Sequence, residues 1–566
     1  MTSADSNSLP SSYVRGDDTP PLLEDTIGAV LERAAQRWPQ TEAIVSVEQG
    51  IRWTYEDFNR RVDALAAGLL ALGIKRGERV AIWAPNCVEW TLTQFATAKA
   101  GIIQVNINPA YRTSELEYTL KKVGVKALIA ATAFKTSDYL AMTESLAPEI
   151  EGSAPGQLRA AALPHLQIVV KIGGDAHRPG WLNFEDIGTA DRQALRAACA
   201  QCNNTEAINI QFTSGTTGLP KGATLSHRNI VNNAFFVGQS TGLRAGDRLC
   251  VPVPLYHCFG MVAANLACVA HGATMVYPAS GFDPLEVLST IQEERCTAVH
   301  GVPTMFIAEL EHPQFAQFDL SSLRAGIMAG SPCPIEVMRR VIDRMHMSEI
   351  TIAYGMTETS PVSFQSSPQD SLERRVTTVG RIQPHLEAKV VGPTGETLAR
   401  TEPGELCTRG YAVMLGYWND PERTAEAVDA EGWMHTGDLA VIDAEGFCNI
   451  VGRSKDMIIR GGENIYPREI EEFLFQHPKI ADVTVVGVPD IRLGEEVCAW
   501  IKLRAGVEPC EDEIRHYCKS RIAHYKVPAH IVFVESFPMT VTGKVQKYLI
   551  RQEMSERLGR SEQRTA

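Results

Sequence analysis

The stretch Ile208-Asn-Ile-Gln-Phe-Thr-Ser-Gly-Thr-Thr-Gly-Leu-Pro-Lys-Gly222 joins a short apolar run, typical of a buried strand, to a loop rich in hydroxyl side chains and glycines. Glycines leave no Cβ in the way, so backbone N–H groups and hydroxyls can converge on phosphate oxygens. Lys221 adds a positive charge for the same oxygens. The pattern predicts a phosphate-binding loop, whose candidate ligands are Thr213, Ser214, Gly215, Thr216, Thr217, Gly218 and Lys221.

The spacing of this loop excludes one large class of nucleotide-binding protein. It does not fit G-x-x-x-x-G-K-[ST], the loop of enzymes that mostly transfer a terminal phosphoryl group. A plain Ser/Thr/Gly turn is the other interpretation, and the preceding apolar run and Lys221 argue against it. We therefore expect a different nucleotide chemistry.

On both sides of the loop, helical patterns alternate with short apolar runs. Ile27, Val30, Leu31, Ala34 and Trp38 share one face of a predicted helix. Alternation of this kind predicts α/β layers with buried parallel strands. The predicted strands are Val80–Ala84, Ala127–Ala131, Gln167–Ile172, Ile208–Phe212, Leu249–Val253, Thr274–Tyr277 and Ile350–Ala353.

The pattern of predicted secondary structure changes twice towards the C-terminus. From about residue 380, short strands and turns indicate a β-rich subdomain, and after Arg453 a compact mixed pattern begins with a helix near Pro467. The predicted fold class is α/β: a large N-terminal domain of layered α/β subdomains plus the β-rich subdomain, followed by a small mobile α+β C-terminal domain. The predicted boundaries are a disordered N-terminal segment at 1–25, the large domain at 26–453, the small domain at 454–558 and a disordered tail at 559–566.

Composition limits the function classes. The net charge of −13, from 54 basic and 67 acidic residues, argues against a broad nucleic-acid-binding surface. We find no secretory or transit signal at the N-terminus, and the most apolar stretch, Met261–Tyr277, is too short to span a bilayer. Cys199-Ala-Gln-Cys202 is a lone C-x-x-C with no second pair to complete a zinc site. A reduced, cytoplasmic protein is expected.

Further motifs follow the loop in a fixed order, and together they resemble those of the adenylate-forming superfamily of acyl-CoA synthetases, luciferases and peptide-synthetase adenylation domains. Taken singly, Tyr354 could be a core aromatic, Glu358 and Asp438 turn carboxylates, and Lys544 a turn lysine. The ordered set, over about Thr26 to Leu558, supports the resemblance. Its segments are Ala329-Gly-Ser-Pro332, Tyr354-Gly-Met-Thr-Glu-Thr359, Trp433-Met-His-Thr-Gly-Asp438, Gly452-Arg-Ser-Lys-Asp456 and Pro538-Met-Thr-Val-Thr-Gly-Lys544.

The resemblance implies roles for individual residues. Lys544, Glu358, Lys221 and Thr357 would be catalytic, with Glu358 holding Mg²⁺ and Lys544 delivered by the mobile small domain. The tyrosine Tyr354 would stack on adenine. The implied ATP and AMP ligands are Thr213, Ser214, Gly215, Thr216, Thr217, Gly218, Lys221, Gly330, Ser331, Pro332, Tyr354, Gly355, Met356, Thr357, Asp438, Arg453 and Lys544.

The second substrate and the cosubstrate have implied sites too. His257, Phe259, Val302 and Gly330 would line the acyl pocket. For His257 a satisfied core histidine is the other interpretation. Rotation about the hinge Lys455 would bring the glycine pair Gly461 and Gly462 to the coenzyme A channel, although a turn alone also explains two glycines.

The predicted function is that of an ATP-dependent fatty acid–CoA ligase, which forms an acyl-AMP and then the thioester and releases AMP and pyrophosphate. In the segments 106–113, 254–259 and 452–467 the chain looks most like the group called medium-chain acyl-CoA synthetase family member 2, which implies medium-chain fatty acids. ATP, Mg²⁺ and coenzyme A are the implied cofactors. Alternatives are a ligase for an aryl, branched or short-chain acid, a luciferase-like oxidoreductase, and a catalytically silent nucleotide-binding protein. A peptide-synthetase module is disfavoured, because no carrier motif follows Lys544. No nucleic-acid partner or transmembrane segment is expected, and a homodimer is compatible with the sequence.

Overall fold

A computed structural model gives the fold and describes residues 10–174, 177–188, 192–213, 220–453, 455–461, 463–519 and 521–559. Five of the predicted phosphate ligands, Ser214, Gly215, Thr216, Thr217 and Gly218, lie outside these residues, as does Gly462.

Several helices begin directly after a residue whose side chain caps the first turn. Thr26 Oγ1 accepts a hydrogen bond from Ala29 N–H, and Thr54 Oγ1 accepts one from Asp57 N–H at 3.2 Å, so each threonine satisfies a backbone donor that the first turn leaves unpaired. The described α-helices are Ile27–Arg37, Tyr55–Ala71, Val88–Ala100, Thr113–Val123, Tyr139–Leu146, Arg192–Cys199, His227–Thr241, Ala267–His271, Pro284–Glu293, Pro303–Leu310, Ile335–Arg344, Leu372–Thr377, Pro421–Ala427, Pro467–Phe475, Glu511–Lys519 and Lys547–Arg557.

Two large sheets form the body of the N-terminal domain. Both have a parallel centre, and their central strands are buried. The nine-stranded sheet has antiparallel strands at both edges, and the eight-stranded sheet has them at one edge only. The eight-stranded sheet has the order Leu182–Asn183, Ile168–Ile172, Ala127–Ala131, Arg79–Trp83, Ile103–Asn106, Ala207–Thr213, Lys221–Ser226, Gly416–Tyr417. The nine-stranded sheet has the order Arg381–Ile382, Val362–Gln365, Glu349–Gly355, Ala325–Ala329, Ala298–Gly301, Arg248–Cys250, Thr274–Tyr277, Glu42–Ser46, Ile51–Thr54.

All seven predicted strands of this body are present, and two are shorter than predicted: Gln167–Ile172 begins one residue later, at Ile168, and Leu249–Val253 ends early. The apolar run Leu249–Val253 was expected to be a single strand, but the strand is Arg248–Cys250. Pro252 and Pro254 follow, and a proline has no N–H to continue a ladder of hydrogen bonds. The chain therefore leaves the sheet before His257.

The β-rich subdomain is a five-stranded antiparallel sheet that also recruits the N-terminal segment. Val14–Arg15 pairs with Leu386–Val391, and Ser12 is fully buried. The predicted disorder of residues 1–25 is therefore wrong for this part of the segment, because the sheet edge offers unpaired backbone groups that the chain satisfies. The sheet order is Val14–Arg15, Leu386–Val391, Gly404–Gly410, Met434–Ile442, Cys448–Arg453.

The small domain has its own sheet and its own core. Its long hairpin joins Ile480–Asp490 to Gly494–Leu503, and the helix Pro467–Phe475 buries Ile470 and Leu474 against it. The three other strands are Ile458–Arg460, Glu463–Ile465 and His530–Phe533. The boundary at 453/454 stays a prediction.

The most apolar stretch of the sequence is divided among three elements. A π-helix at Phe259–Leu266 continues into the helix Ala267–His271, and the strand Thr274–Tyr277 follows. In the described parts of the chain, no helix combines the length and the apolar character that a membrane crossing requires.

Candidate active site

Three neighbouring parallel strands of the nine-stranded sheet end beside one another. Ala298–Gly301 leads to Val302, Ala325–Ala329 leads to Gly330, and Glu349–Gly355 carries Tyr354 near its end. The carboxyl ends of parallel strands are where α/β proteins usually bind ligands. The topology thus brings together residues that are up to 52 positions apart in the sequence.

Tyr354, Asp438 and Arg453 form one hydrogen-bonded group. Tyr354 donates its hydroxyl to Asp438 Oδ2 at 2.7 Å, and Arg453 Nε donates to Oδ1 at 3.0 Å. Asp438 and Arg453 are direct partners across adjacent antiparallel strands, so the sheet register itself aligns them. Burial and the Asp438 carboxylate raise the pKa of Tyr354, and the phenol stays protonated as a donor. The side chains predicted to bind adenosine lie together.

The Glu358 carboxylate is buried beside the end of the predicted phosphate loop. Its Oε1 accepts hydrogen bonds from Tyr417 OH at 2.9 Å and from Thr213 Oγ1 at 3.2 Å. Lys221 Nζ lies 4.4 Å from the centre of the Tyr417 ring, a cation–π contact. Burial and Glu358 raise the pKa of Tyr417, so its phenol stays protonated and acts as the hydrogen-bond donor. Tyr417 thus contacts both Glu358 and Lys221, and Thr213 bonds to Glu358 directly.

Lys544 enters the site from the other end of the chain. Its turn is closed by hydrogen bonds from Thr540 N–H to Lys544 O at 2.8 Å and from Lys544 N–H to Thr540 Oγ1 at 3.1 Å. Burial lowers the pKa of Lys544, as does the nearby Arg453, while Cys258, Asp438 and Glu358 raise it. Lys544 thus lies near a second cation, Arg453, and near the Asp438 and Glu358 carboxylates.

The predicted acyl-side residues surround a neutral histidine. Phe259 N–H donates to His257 Nδ1 at 3.1 Å, so the proton of the neutral ring lies on Nε2. Burial, and secondarily Lys544, lowers the pKa of His257 to about 3. Phe259 stacks on the buried His300 with ring centres 5.6 Å apart, and Val302 is buried. These side chains form an apolar wall beside a hydrogen-bond donor.

The predicted ligands Gly355, Met356 and Thr357 of the segment 354–359 lie in a tight turn. A Cβ on Gly355 would come within 1.7 Å of Pro361 O, so only glycine fits there. Met356 N–H donates to the same carbonyl oxygen at 2.9 Å, and the buried Thr357 Oγ1 is 3.7 Å from Cys258 Sγ. This turn fixes the backbone that presents Glu358.

Gly330, Ser331 and Pro332 form the turn after strand Ala325–Ala329. Gly330 has φ +91°, and a Cβ there would lie 3.1 Å from Val302 Cγ1 and 3.9 Å from Lys544 Cε. The turn therefore borders both the acyl-side wall and the small-domain lysine.

The predicted hinge and coenzyme A residues lie in the small-domain part of the chain. Gly461, with φ +60°, donates its N–H to Leu493 O at 2.7 Å. Lys455 O accepts a hydrogen bond from Arg551, whose guanidinium also pairs with Asp456 at 3.1 Å. Their roles as hinge and coenzyme A ligands stay predictions.

Sequence reasoning missed three residues of the site: Tyr417, Cys258 and Thr304. Tyr417 holds Glu358, Cys258 contacts Thr357, and Thr304 Oγ1 donates to Gly543 O at 3.2 Å. The only available signal for Tyr417 was the aromatic pair it forms with Trp418 after Gly416. Nothing in that pair indicates a carboxylate partner 59 positions earlier.

One further cluster of side chains, of the types that bind metal ions, lies close to the turn before Asp438. Glu405, Cys407 and His435 approach one another on adjacent strands, with 3.1 Å between Glu405 Oε2 and His435 Nδ1 and 3.5 Å between His435 Nδ1 and Cys407 Sγ. Glu405 Oε1 also accepts from Gly437 N–H at 3.0 Å. These bonds fix the turn that precedes Asp438.

The fold and the site define a nucleotide-dependent enzyme whose small domain supplies a lysine to a site on the large domain. The chain belongs to the family of AMP-binding enzymes: the AMP-binding enzyme model matches residues 31–418, and the model of the AMP-binding enzyme C-terminal domain matches residues 469–544.

Named relatives cover nearly the whole chain. It is 50% identical over 558 residues to a protein of Danio rerio named medium-chain acyl-CoA ligase ACSF2, mitochondrial, covering 97% of this chain and 92% of the relative. It is 49% identical to the putative acyl-CoA synthetase YngI of Bacillus subtilis, covering 94% and 98%.

Solved structures agree in fold. The anthranilate CoA ligase AuaEII in complex with anthranoyl-AMP superposes with a TM-score of 0.84 at 28% identity, covering 96% of this chain and 99% of that one. A Mycobacterium tuberculosis fatty acyl CoA synthetase superposes with a TM-score of 0.68 at 30% identity, covering 94% and 99%. The predicted fold class and superfamily are confirmed.

Proposed function

We propose that the protein is an ATP-dependent fatty acid–CoA ligase for medium-chain acids. The acid's carboxylate attacks the α-phosphorus of ATP, forming the acyl-adenylate and releasing pyrophosphate. The thiol of coenzyme A then attacks the acyl carbon, forming the thioester and releasing AMP. Support for the acid class comes from relatives at about 50% identity whose names specify medium-chain acyl-CoA ligase activity.

One observation carries the adenylation step: Lys544 of the small domain borders Gly330 of the large domain and lies within electrostatic reach of Glu358, 186 positions earlier in the chain. A carboxylate and a polyphosphate are both anions, so their approach is unfavourable without positive charge. Lys544 supplies that charge from a preorganised position, and a preorganised donor of this kind is worth about 3–4 kcal/mol in the transition state.

The Glu358 carboxylate fits a magnesium site. Thr213 and Tyr417 both bond to its Oε1, and among the described residues neither bonds to Oε2. Magnesium commonly uses one or two protein carboxylates together with substrate phosphates. A Mg²⁺ held by Glu358 would neutralise charge on the phosphates of ATP. Thr213, Lys221 and Thr357 would bind phosphate oxygens around it.

Asp438 and Arg453 would hold the ribose hydroxyls, while Tyr354 would stack on adenine. The proposed nucleotide ligands also include the backbone of Gly330, Ser331, Pro332, Gly355 and Met356 and the loop residues 214–218.

His257 would donate a hydrogen bond from its Nε2–H to the carboxylate of the acid, because Nε2 carries the one N–H of the neutral ring. Phe259, Val302 and Gly330 would form the wall against the alkyl chain. We further propose that rotation about Lys455 moves Lys544 away and brings Gly461 and Gly462 to the pantetheine arm.

A reducing compartment is part of the proposal, since all thirteen cysteines are free thiols. We propose a cytoplasmic location on that basis.

The test is acid-dependent pyrophosphate release with ATP and Mg²⁺, across linear, branched and aryl acids, with and without coenzyme A. We expect AMP as the nucleotide product and a maximum among linear saturated acids of intermediate length. Lys544→Ala should reduce adenylation a few hundredfold. Lys519→Ala, which removes an exposed lysine of the small domain, is the control. Release of ADP and phosphate would refute the proposal, and a preference for aryl acids would refute its substrate class.

A further inference from the structure

The helix Pro303–Leu310, here called the docking helix, contacts the small domain at its first turn. Thr304 Oγ1 donates to Gly543 O at 3.2 Å. Gly543 has φ +75°, and a Cβ there would lie 2.8 Å from Val302 Cγ2 and 2.9 Å from Thr304 Oγ1. The turn that presents Lys544 therefore rests directly on the start of this helix, at a distance that only glycine allows.

The other end of the docking helix contacts the small domain through a carboxylate. Glu311, which caps the helix, bonds through Oε1 to Arg504 Nη1 at 2.6 Å and to Arg340 Nη2 at 2.7 Å. Arg340 belongs to the large domain and Arg504 to the small one. Glu311 thus joins one arginine from each domain.

Arg504 is well placed to transmit this contact. Its Nε donates to Pro478 O at 3.0 Å and its backbone N–H to Lys479 O at 3.0 Å, so the guanidinium is fixed within the small domain. It directly follows the strand Gly494–Leu503. The position of the guanidinium is therefore coupled to the position of the small-domain sheet.

Two contacts at the two ends of one helix fix an orientation that a single contact cannot. An eight-residue helix is about 12 Å long, so the two anchor points are well separated. The turn contact alone would allow the small domain to pivot about Gly543, and the ionic contact restricts that pivot.

We infer that the Glu311–Arg504 pair positions the small domain for adenylation and breaks when the domain rotates for thioester formation. The inference rests on the proposed two-step function. Arg504 and Glu311 are about one third exposed, at 33% and 34%, and exposed ion pairs of this kind are weak. A weak contact suits this role, because a strong one would retain the domain in the adenylation orientation.

The test separates the two half-reactions. Acid-dependent exchange of pyrophosphate into ATP reports adenylation, and thioester formation from a supplied acyl-adenylate and coenzyme A reports the second step. Arg504→Ala should slow the exchange about threefold to fivefold, the upper part of the range for losing an exposed pair, and leave thioester formation unchanged or faster. Arg504→Lys should restore part of the exchange.

The control and the isosteric variant guard against a folding effect. Arg515→Ala removes a small-domain arginine that pairs with Glu511 at 2.7 Å inside the same domain, and it should change neither half-reaction. Glu311→Gln keeps the side-chain shape and should reproduce the Arg504→Ala pattern. The double variant should lose no more exchange than either single variant.

The inference is overturned if both half-reactions fall together, if the two single effects add, or if Arg504→Ala exchanges like the wild type. Failure of the proposed function looks different, since the unmodified protein would then show no acid-dependent exchange at all.

Discussion

At the scale of single residues, the Tyr354–Asp438 bond gives the first prediction. Tyr354→Phe keeps the ring that would stack on adenine and removes the donor that orients the Asp438 carboxylate. A hydrogen bond to a charged group contributes about 1.5 kcal/mol, so we expect KM for ATP to rise about tenfold with kcat within about twofold. Steady-state kinetics against ATP measure this. Tyr548→Phe, at a 62% exposed tyrosine, is the control. A fall in kcat at unchanged KM would contradict the assignment.

A second residue-scale prediction concerns Glu309, a buried carboxyl in the docking helix. Its Oε2 is buried and has no hydrogen-bond partner among the described residues, and burial raises its pKa to about 8. In the unfolded chain the group titrates near its ordinary value of about 4.3. Between these two values the folded protein holds a proton that the unfolded chain has lost, so stability falls as pH rises.

The measurement is the free energy of unfolding in urea at pH 5.5, 6.5 and 7.5. Relative to Glu309→Gln, the wild type should lose about 1.4 kcal/mol per pH unit across this window. Glu508→Gln, at an exposed glutamate, should follow the wild type. Parallel curves for the wild type and Glu309→Gln would show that the carboxyl is ionised or hydrated in the folded protein.

At the scale of elements, the N-terminal strand gives a prediction about stability. Ser12 Oγ donates to Val390 O and accepts from Val390 N–H, both at 3.1 Å, in a fully buried position. Ser12→Ala removes the acceptor of the buried Val390 N–H, which costs about 1–3 kcal/mol, while Val390 O keeps its bond from Leu398 N–H at 2.9 Å. We expect faster hydrogen exchange in Leu386–Val391 by mass spectrometry. Ser11→Ala changes the exposed neighbour and should leave exchange unaltered; equal exchange in both variants would contradict the prediction.

A comparison of the strand Val14–Arg15 with two strands of the large sheets shows which elements sequence patterns could predict. Ala127–Ala131 and Thr274–Tyr277 were predicted at their observed ends, because a buried strand needs a continuous apolar run and both runs are bounded by polar or turn residues. Val14–Arg15 has no such run and owes its conformation to a partner more than 370 positions away. The π-helix Phe259–Leu266 was also unpredicted, since its apolar residues fit an α-helix equally well.

At the scale of the whole molecule, the motifs predicted which residues meet but not how the two domains touch. Tyr354 is hydrogen-bonded to Asp438, and Lys544 lies near Asp438 and Glu358, so residues of separate motifs lie near one another, while their roles stay predictions. The Glu311–Arg504 contact could not be predicted, since both residues look like ordinary surface charges. A contact between domains depends on how two folded surfaces fit together, and local sequence patterns carry no information on that fit.

The last prediction concerns movement of the small domain as a body. Lys455→Pro would fix φ at the proposed hinge near −65° and remove the backbone N–H. The proposed adenylation step would use the orientation described here, in which Lys544 lies near Arg453 and Glu358, so pyrophosphate exchange should stay within about threefold of the wild type. Thioester formation from a supplied acyl-adenylate needs the other orientation and should fall at least about a hundredfold, a barrier increase of about 2.7 kcal/mol. Lys455→Ala leaves φ free and should retain both activities. If Lys455→Pro lost neither half-reaction, the rotation would have to occur about another residue, and equal loss of both would indicate that the substitution disturbs the Asp456–Arg551 pair beside it instead.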